Sequence, residues 1–320
     1  MNILITGGAG YIGSVATRIL REAGHTVSIL DNLSHGHRDS VPGDVTFFHG
    51  DVAQFEQIVP ADHPIDAVVH LAALISAGES MTEAPHYWEN NVVQTSQLLE
   101  NMRQRSIKKL VFASTAAVYG NPTKTPIPET ALTAPTNIYG ATKLAMDHAI
   151  SIEAGSYGLA ATSLRFFNVA GAYHDAGERH PVETHLIPLA LQAAAGERTH
   201  LDLYGVDYPT QDGTCVRDYI HVADLADAIV LALNQLTSST HRIYNLGNGH
   251  GFTNREVLET VKAVTGKDFP VNEQPRRAGD PTVLVASSEK ALSELGWQPK
   301  RPALEAMIRD AWEFYHTTQR

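Results

Sequence analysis

Ile3-Leu4-Ile5-Thr6-Gly7-Gly8-Ala9-Gly10-Tyr11-Ile12-Gly13 decides the fold. A short apolar run meets spaced glycines, and an amphipathic stretch follows at 12–23. Strand, glycine turn and helix in that order open a dinucleotide-binding βαβ unit. Glycine lets the backbone turn tightly and come close to a pyrophosphate. The helix N-terminus behind it offers free N–H groups and a partial positive charge. The spacing is G-x-x-G-x-x-G, one residue longer than G-x-G-x-x-G.

Outward from this unit, apolar runs alternate with amphipathic stretches. Asn2–Thr6, Thr26–Leu30, Val45–His49, Ala67–Leu71, Lys109–Ala113 and Ala161–Phe166 read as strands. Residues 12–23, 52–59, 87–105 and 139–156 read as helices between them. The expected fold is α/β: a doubly wound parallel Rossmann-type sheet with a smaller C-terminal α/β substrate lobe. The runs are β-branched and do not alternate, as suits strands buried on both faces. Gly24 is placed to end the first helix in the left-handed conformation. After Phe167, loops rich in Gly, Pro and His at 171–182 and 205–215 interrupt shorter elements. Helices are expected at Asn254–Thr265 and Pro302–Thr317. The expected division is a dinucleotide-binding domain over 1–170, to which 218–247 return as strand and helix, and a second lobe over 171–217 and 248–320.

The 320 residues are 43% hydrophobic and 18% charged, an ordinary globular composition that can bury a core without staples. A formal net charge of −11 argues against nucleic acid and anionic membrane as partners. Anionic small molecules need only a few local cations. Cys215 is the single cysteine, so no disulfide forms within the chain and a reduced, cytoplasmic setting is expected. Met1–Thr6 has no basic n-region of a signal peptide. The apolar stretch 186–195 is too short to span a bilayer. The 16 histidines show no metal-ligand spacing, and no catalytic metal is expected.

Asp31 ends the second strand, close to the usual position of about 20 residues beyond the glycines. A carboxylate there can bond the adenosine ribose 2′-hydroxyl and repel a 2′-phosphate, which favours NAD over NADP. His35, His37 and Arg38 just beyond are the competing hint of a phosphate. Asp51, after the third strand, is either a second acidic residue near the adenine or the N-cap of 52–59; the two roles are compatible.

Tyr139-Gly-Ala-Thr-Lys143 lies near a predicted helix start, and residues four apart share one helical face. A phenol titrates near about 10, so Tyr139 serves as a base only if something acidifies it. Lys143 and a positive nicotinamide ring are the expected sources. Phe112-Ala-Ser-Thr-Ala-Ala-Val-Tyr-Gly120 follows a strand directly, and Ser114 or Thr115 can put a hydroxyl beside Tyr139. Hydroxyl, phenol and lysine over a nicotinamide form a proton-and-hydride apparatus.

With these residues the chain resembles the extended short-chain dehydrogenase/reductase family and, along almost its whole length, the UDP-glucose (UDP-galactose) 4-epimerases. TGGAGYIGS at the start carries the resemblance, with GES at 78–80, NN at 90–91, STAAVYG, YGATK, LRFFNVAGA, DYPTQDGTCVRDYIHVADLADA, YNLGNG and RRAGDP. The resemblance implies reversible inversion at C4 of a UDP-sugar through a 4-keto intermediate, with NAD reduced transiently. It also implies a homodimer that meets through the helices near 87–105 and 139–156. Carried over by motif, Thr115 takes the catalytic hydroxyl, Tyr139 the base and Lys143 its orienter. The implied cofactor contacts are Gly7, Gly10, Tyr11, Ile12, Gly13, Asp31, Asn32, Asp51, Val52, Leu71, Ala72, Ala73, Asn90, Tyr139, Lys143 and Phe166. The implied substrate contacts are Thr115, Tyr139, Asn168, His185, Leu186, Tyr204, Arg217, Tyr219, Arg277, Asp280 and Leu284. Guanidinium forks at Arg217 and Arg277 suit diphosphate oxygens.

Three positions depart from some family members: Ile75 replaces a lysine, Phe166 a tyrosine and His185 an asparagine. The first removes a cation near the cofactor, and His185 stands in as a hydrogen-bond partner. A 4,6-dehydratase of the same fold is the nearest alternative. Dehydratases commonly carry Asp-Glu after the catalytic threonine, whereas this chain has Ala116-Ala117. From another class, a catalytically dead NAD sensor is opposed by the intact Thr115, Tyr139 and Lys143.

Overall fold

The computed structural model describes residues 1–277 and 280–318. Ala278 and Gly279, inside the RRAGDP motif, and the last two residues of the expected C-terminal lobe lie outside the described residues. The central sheet contains β1 (Asn2–Thr6), β2 (Thr26–Asp31), β3 (Thr46–His49), β4 (Ala67–His70), β5 (Lys109–Thr115) and β6 (Ala160–Phe166). A further strand, Thr240–Leu246, pairs with β6. The spatial order is Thr240–Leu246, β6, β5, β4, β1, β2, β3, and every pairing is parallel. The order reverses direction between β1 and β4, and ligands of open α/β sheets bind outside the strand ends at such a point.

Both faces of the sheet are covered. Helices Tyr11–Glu22 and Val222–Asn234 bury Val15, Leu20, Leu225 and Ile229 against Ile3, Ile5 and Val111. On the other face, Leu98, Met102, Met146 and Ile150 from helices Gln94–Gln104 and Ile138–Tyr157 meet Leu4, Val68 and Phe112. Burial from both sides removes any polar face, which is why these strands read as unbroken apolar runs. Gly24, at φ +84°, ends the first helix as expected.

Beyond the main sheet, Val216–His221 pairs with Asn168–Ala170, Gly251–Thr253 and Val283–Leu284. Leu201–Tyr204 pairs with Val271–Gln274. A separate apolar cluster joins helices Leu186–Ala194, Asn254–Thr265 and Leu304–Thr318 through Ile187, Val257 and Met307. Within 218–247 the first strand therefore pairs outside the main sheet, while the helix packs on that sheet and the following strand joins its edge.

Two expected helices differ in detail. Residues 87–105 are not one α-helix: Ala84–Trp88 passes through a π turn at Glu89–Val93 before Gln94–Gln104. The Asn91 side chain explains the break, since it bonds the backbone N–H and C=O of Leu74 at 2.9 Å each. Such bulges put a side chain where a regular helix would not. Residues 52–59 form a 3-10 turn at Val52–Gln54 and a short helix at Phe55–Ile58.

A buried polar network lies between β5, β6 and helix Ile138–Tyr157. Asp147 Oδ2 accepts from Arg165 Nη2 at 3.0 Å, Arg165 Nε at 3.1 Å and Ser114 Oγ at 3.1 Å. Arg165 also donates to the Tyr119 hydroxyl, which donates to Asn245 Oδ1. The side chains of Arg165 and Asp147 are only 4% and 2% exposed. Removing one partner of such a pair strands a buried charge, at about 3–5 kcal/mol. Arg165→Met should therefore lower unfolding stability by about that amount in urea titrations. Arg255→Met, which breaks an exposed pair with Glu273, should cost about 1 kcal/mol or less. Equal costs for the two would contradict this account of the network.

Candidate active site

The strand ends of the main sheet deliver the glycine turn, Asp31, the 71–73 segment, Thr115 and Phe166 to one edge. A Cβ on Gly7 would lie 2.6 Å from Ala72 N, and one on Gly13 would lie 2.1 Å from Gly7 O. Gly7 also has φ +75°. No other residue fits either position, because β1, the turn and the helix are in backbone contact there. Gly10 differs: a Cβ there meets nothing closer than Gly7 O at 3.4 Å. The helix that starts at Tyr11 has no side-chain cap and no acidic residue in its first turn. Open space above uncapped N–H groups, including those of Tyr11, Ile12 and Gly13, fits a pyrophosphate. The Tyr11 hydroxyl donates to Gly171 O at 2.6 Å and so ties the turn to the 171–185 segment.

Asp31 is buried and accepts from Ala9 N at 2.9 Å and Leu33 N at 2.8 Å. The competing basic cluster is largely engaged elsewhere. His37 Nε2 bonds Arg179 O at 2.8 Å, and the Arg38 guanidinium lies 4.6 Å from the centre of the Phe47 ring. His35 remains exposed. Asn32 Nδ2 donates to Asp51 Oδ1 at 2.6 Å, while Asp51 N donates to Gln54 Oε1 at 3.2 Å. Asp51 thus sits at a helix start and beside Asn32 at once, with Val52 buried next to it. Leu71 continues the β4 ladder through its N–H to Thr6 O, which sets the Ala72 backbone beside Gly7, with Ala73 next in the chain. Asn90 Nδ2 donates to Asn91 Oδ1, and Ile75 is 40% exposed.

Thr115, at the end of β5, is directly opposite Phe166 in register. Its hydroxyl lies close enough to Tyr139, near the start of helix Ile138–Tyr157, to lower the phenol's pKa. Asn137 Oδ1 accepts from Gly140 N at 2.8 Å and caps that helix. Of the two candidate hydroxyls, Ser114 points into the buried Asp147 network and Thr115 toward the phenol. Successive strand residues face opposite sides, so only one could reach. Lys143 is 3% exposed, with Nζ 4.9 Å from the centre of the Phe112 ring. Burial pushes its pKa down to about 8, opposed by the Asp147 carboxylate. Burial raises the Tyr139 pKa above the usual phenol value, outweighing Thr115, which lowers it. Lys143 therefore does not by itself make Tyr139 a base.

The candidate substrate residues come together through Val216–His221. Asn168 is opposite Tyr219 in one pairing and Leu284 opposite Arg217 in another. Arg217 Nη1 donates to Pro281 O at 2.8 Å, and Nη2 lies 3.5 Å from Asp280 Oδ1. Tyr219 is buried, which lifts its phenol to about 12 against the pull of Arg217. The Arg277 guanidinium lies 4.0 Å from the centre of the Tyr204 ring. Leu284 packs on the cluster of Ala116, Tyr119 and Phe167. Leu186 begins helix Leu186–Ala194, and His185, just ahead of it, bonds Glu183 Oε1 at 2.7 Å.

Several residues escaped the sequence reading. Asn91, rather than Asn90 alone, pins the 71–74 segment and also reaches Thr142 on the Tyr139 helix at 3.2 Å. Asp218 faces away from Arg217 and Tyr219 and accepts from the backbone of Asn248, Gly249 and Ala286. Burial nevertheless lifts its carboxyl to about 6. Its only signal in the sequence was its place between two candidate residues. Glu178, His180, Glu183 and His185 also converge. Among the described residues, no helix is long and apolar enough to cross a membrane.

Known proteins agree with this architecture. The model of the NAD dependent epimerase/dehydratase family matches residues 3–247. A UDP-glucose 4-epimerase of Corynebacterium glutamicum is 52% identical over 98% of this chain and 95% of its own length. One from Streptomyces lividans is 51% identical, with the same coverage of each chain. A UDP-glucose 4-epimerase of Bifidobacterium longum, solved in complex with NAD+ and UDP, superposes with a TM-score of 0.93 at 32% identity. It covers 100% of this chain and 99% of its own. With its parallel sheet, glycine turn and Thr115–Tyr139–Lys143 grouping, the chain belongs to the NAD dependent epimerase/dehydratase family, among the UDP-glucose 4-epimerases of the extended short-chain dehydrogenase/reductases.

Proposed function

We propose that this chain reversibly inverts C4 of UDP-glucose and UDP-galactose. The observation that carries the reading is the meeting of three groups at one sheet edge: the uncapped glycine turn, the Thr115–Tyr139–Lys143 set and the Val216–His221 strand with its cationic Arg217. Bound NAD would supply reversible hydride acceptance at C4, with return to the opposite face of the 4-keto sugar, and would not be consumed. Tyr139, acting as the phenolate, takes the O4 proton as hydride leaves C4 and, then as the phenol, gives it back on return. Thr115 holds the phenol and the O4 in line, and Lys143 anchors the cofactor side and opposes the burial that keeps Tyr139 protonated. Asp31 reads the ribose hydroxyls, and the engagement of His37 and Arg38 elsewhere supports NAD over NADP. Gly7, Gly10, Tyr11, Ile12 and Gly13 cradle the pyrophosphate. Asn32, Asp51, Val52, Leu71, Ala72, Ala73, Asn90 and Phe166 line the remaining cofactor side.

Arg217 and Arg277 hold the diphosphate, Arg217 exchanging its contact with Asp280 for phosphate oxygens. Asn168, His185, Leu186, Tyr204 and Tyr219 complete the nucleotide-sugar side. The working division assigns 1–170 with 218–247 to NAD and 171–217 with 248–320 to the UDP-sugar. Ala116 and Ala117 carry no acid to expel a C6 hydroxyl, which disfavours a dehydratase. The protein acts in the cytoplasm as a homodimer, joined through the helices at 84–104 and Ile138–Tyr157, where Val93 and Ile152 are 48% and 71% exposed.

Three experiments test this reading. Tyr139→Phe should keep the fold and bound NAD yet lose about 10²–10⁴-fold in turnover, the usual worth of general acid–base catalysis. Near-wild-type conversion of UDP-galactose by this variant would overturn the mechanism. Nucleotide released on denaturation should be NAD(H), and Asp31→Ala should weaken its retention and relax the bias against NADP. Release of mainly NADP from the wild type would refute the role given to Asp31.

Leu284 sets substrate breadth. It is half-buried beside Ala116 and Phe167, where an acetamido group must fit in both orientations of the keto sugar. Overpacking costs about 1–3 kcal/mol, or a roughly 5- to 200-fold penalty. UDP-N-acetylgalactosamine should therefore turn over measurably, with kcat/KM below that of UDP-galactose by such a factor. Leu284→Ser should narrow the gap and Leu284→Tyr should abolish acetamido turnover. A ratio unmoved by either substitution would show that Leu284 does not gate the pocket.

A further inference from the structure

Residues 178–185 read Glu-Arg-His-Pro-Val-Glu-Thr-His, which places the unit Glu-x-His twice in the connection between Asn168–Ala170 and helix Leu186–Ala194. Each unit folds on itself. Glu178 Oε1 lies 2.7 Å from His180 Nδ1, and Glu183 Oε1 lies 2.7 Å from His185 Nδ1. The two units then face each other, with the imidazole rings inclined at 30° and their centres 5.7 Å apart. One ligand atom from each of the four side chains lies within 4.8 Å of all the others. Among the described residues this is the one group of His, Cys, Asp and Glu with such geometry.

We propose that Glu178, His180, Glu183 and His185 bind one structural divalent cation of the zinc type. Two imidazole nitrogens and two carboxylate oxygens suit zinc and its first-row neighbours, whereas calcium and magnesium prefer oxygen alone. Zinc bonds to these donors span about 2.0–2.2 Å. Tetrahedral ligand atoms at that distance are about 3.4 Å apart, so the widest separation, up to 4.8 Å, has to draw in by about 1.4 Å, within the reach of a loop. The two carboxylates also repel each other, and a dication neutralises them. Three of the four groups are well covered: side-chain exposure is 15% for Glu178, 19% for His180 and 6% for Glu183, against 50% for His185. The same side chains Glu178, His180 and Glu183 line a cavity of about 190 Å³, with Phe314 of the last helix on its wall. Arg179, the cation within the segment, is turned away to Asp39.

Four protein ligands close the coordination sphere, so the ion has a structural role. It fastens the segment that leads to Leu186 and that the Tyr11 hydroxyl grips at Gly171. His185, which also stands on the proposed nucleotide-sugar side, is the most exposed of the four; the measurement is metal binding, so its failure is distinguishable from a failure of the proposed reaction.

The test uses the full-length protein, stripped with a chelator and titrated with zinc against a chromophoric competitor. Wild type should bind one equivalent per chain, and zinc should raise its melting temperature. Glu178→Gln and His180→Ala should each weaken binding by at least the roughly 10- to 100-fold that loss of even an outer-shell partner costs, and should lose the thermal shift. His200→Ala, at an exposed histidine outside the cluster, should bind like wild type. Circular dichroism checks that each variant is folded, and Glu178→Gln, the gentler change, carries the test if His180→Ala does not fold. Absence of stoichiometric zinc in the wild type, or wild-type affinity in folded Glu178→Gln, overturns the proposal. A loss in His200→Ala as large as in Glu178→Gln overturns it as well.

Discussion

Gly7 and Gly13 bring the first strand, the turn and the first helix into backbone contact, at separations that admit no side chain at either position. Everything on the cofactor side is aligned to that contact. It seats the Ala72 backbone against Gly7, leaves room above Gly10 and aims uncapped N–H groups into the space. Asp31 secures the arrangement from the next strand by accepting the Ala9 N–H. A substitution at Gly7 or Gly13 would push the turn off the sheet edge. A substitution at Gly10 would leave the packing intact and fill the cradle instead.

Around Tyr139 and Lys143, burial works in two opposite ways. It drives Lys143 down to about 8 and Tyr139 up, both toward the uncharged form. Against this, Asp147 supports the charge on Lys143 and is itself held by Arg165 and Ser114. The helix that carries Tyr139 and Lys143 is thus joined to β5 and β6 by charged hydrogen bonds as well as by apolar packing. Such a network has discrete geometry, and it holds the hydroxyl, phenol and ammonium groups in a defined relation.

Val216–His221 does the corresponding work on the other side. Alternation along it sends Arg217 and Tyr219 to one face and Asp218 to the other. Asp218 accepts three backbone N–H groups and locks 248–249 and 286 to the strand. Pairing then sets Asn168 opposite Tyr219 and Leu284 opposite Arg217. Residues far apart in the chain meet at one surface because they share one strand's register.

The features legible in the sequence were those whose physics is local. Apolar runs buried on both faces, the glycine turn, Gly24 at a helix end and the spacing of Tyr139 and Lys143 all depend on neighbours within a few residues. The π turn at Glu89–Val93 did not read, because its cause is Asn91 reaching back to Leu74. The choice between Ser114 and Thr115 did not read either, since it depends on which face of β5 meets Tyr139. The net rise of the Tyr139 pKa was missed because desolvation depends on the whole surroundings, while spacing shows only the nearby lysine. By itself the sequence determined the parallel α/β architecture and the order of its elements, through short-range periodicity and backbone preference. The tertiary structure decided which distant side chains meet: Arg217 with Leu284, Asp147 with Arg165, and the two Glu-x-His units with each other. Those meetings follow from strand register and packing, which no local spacing encodes.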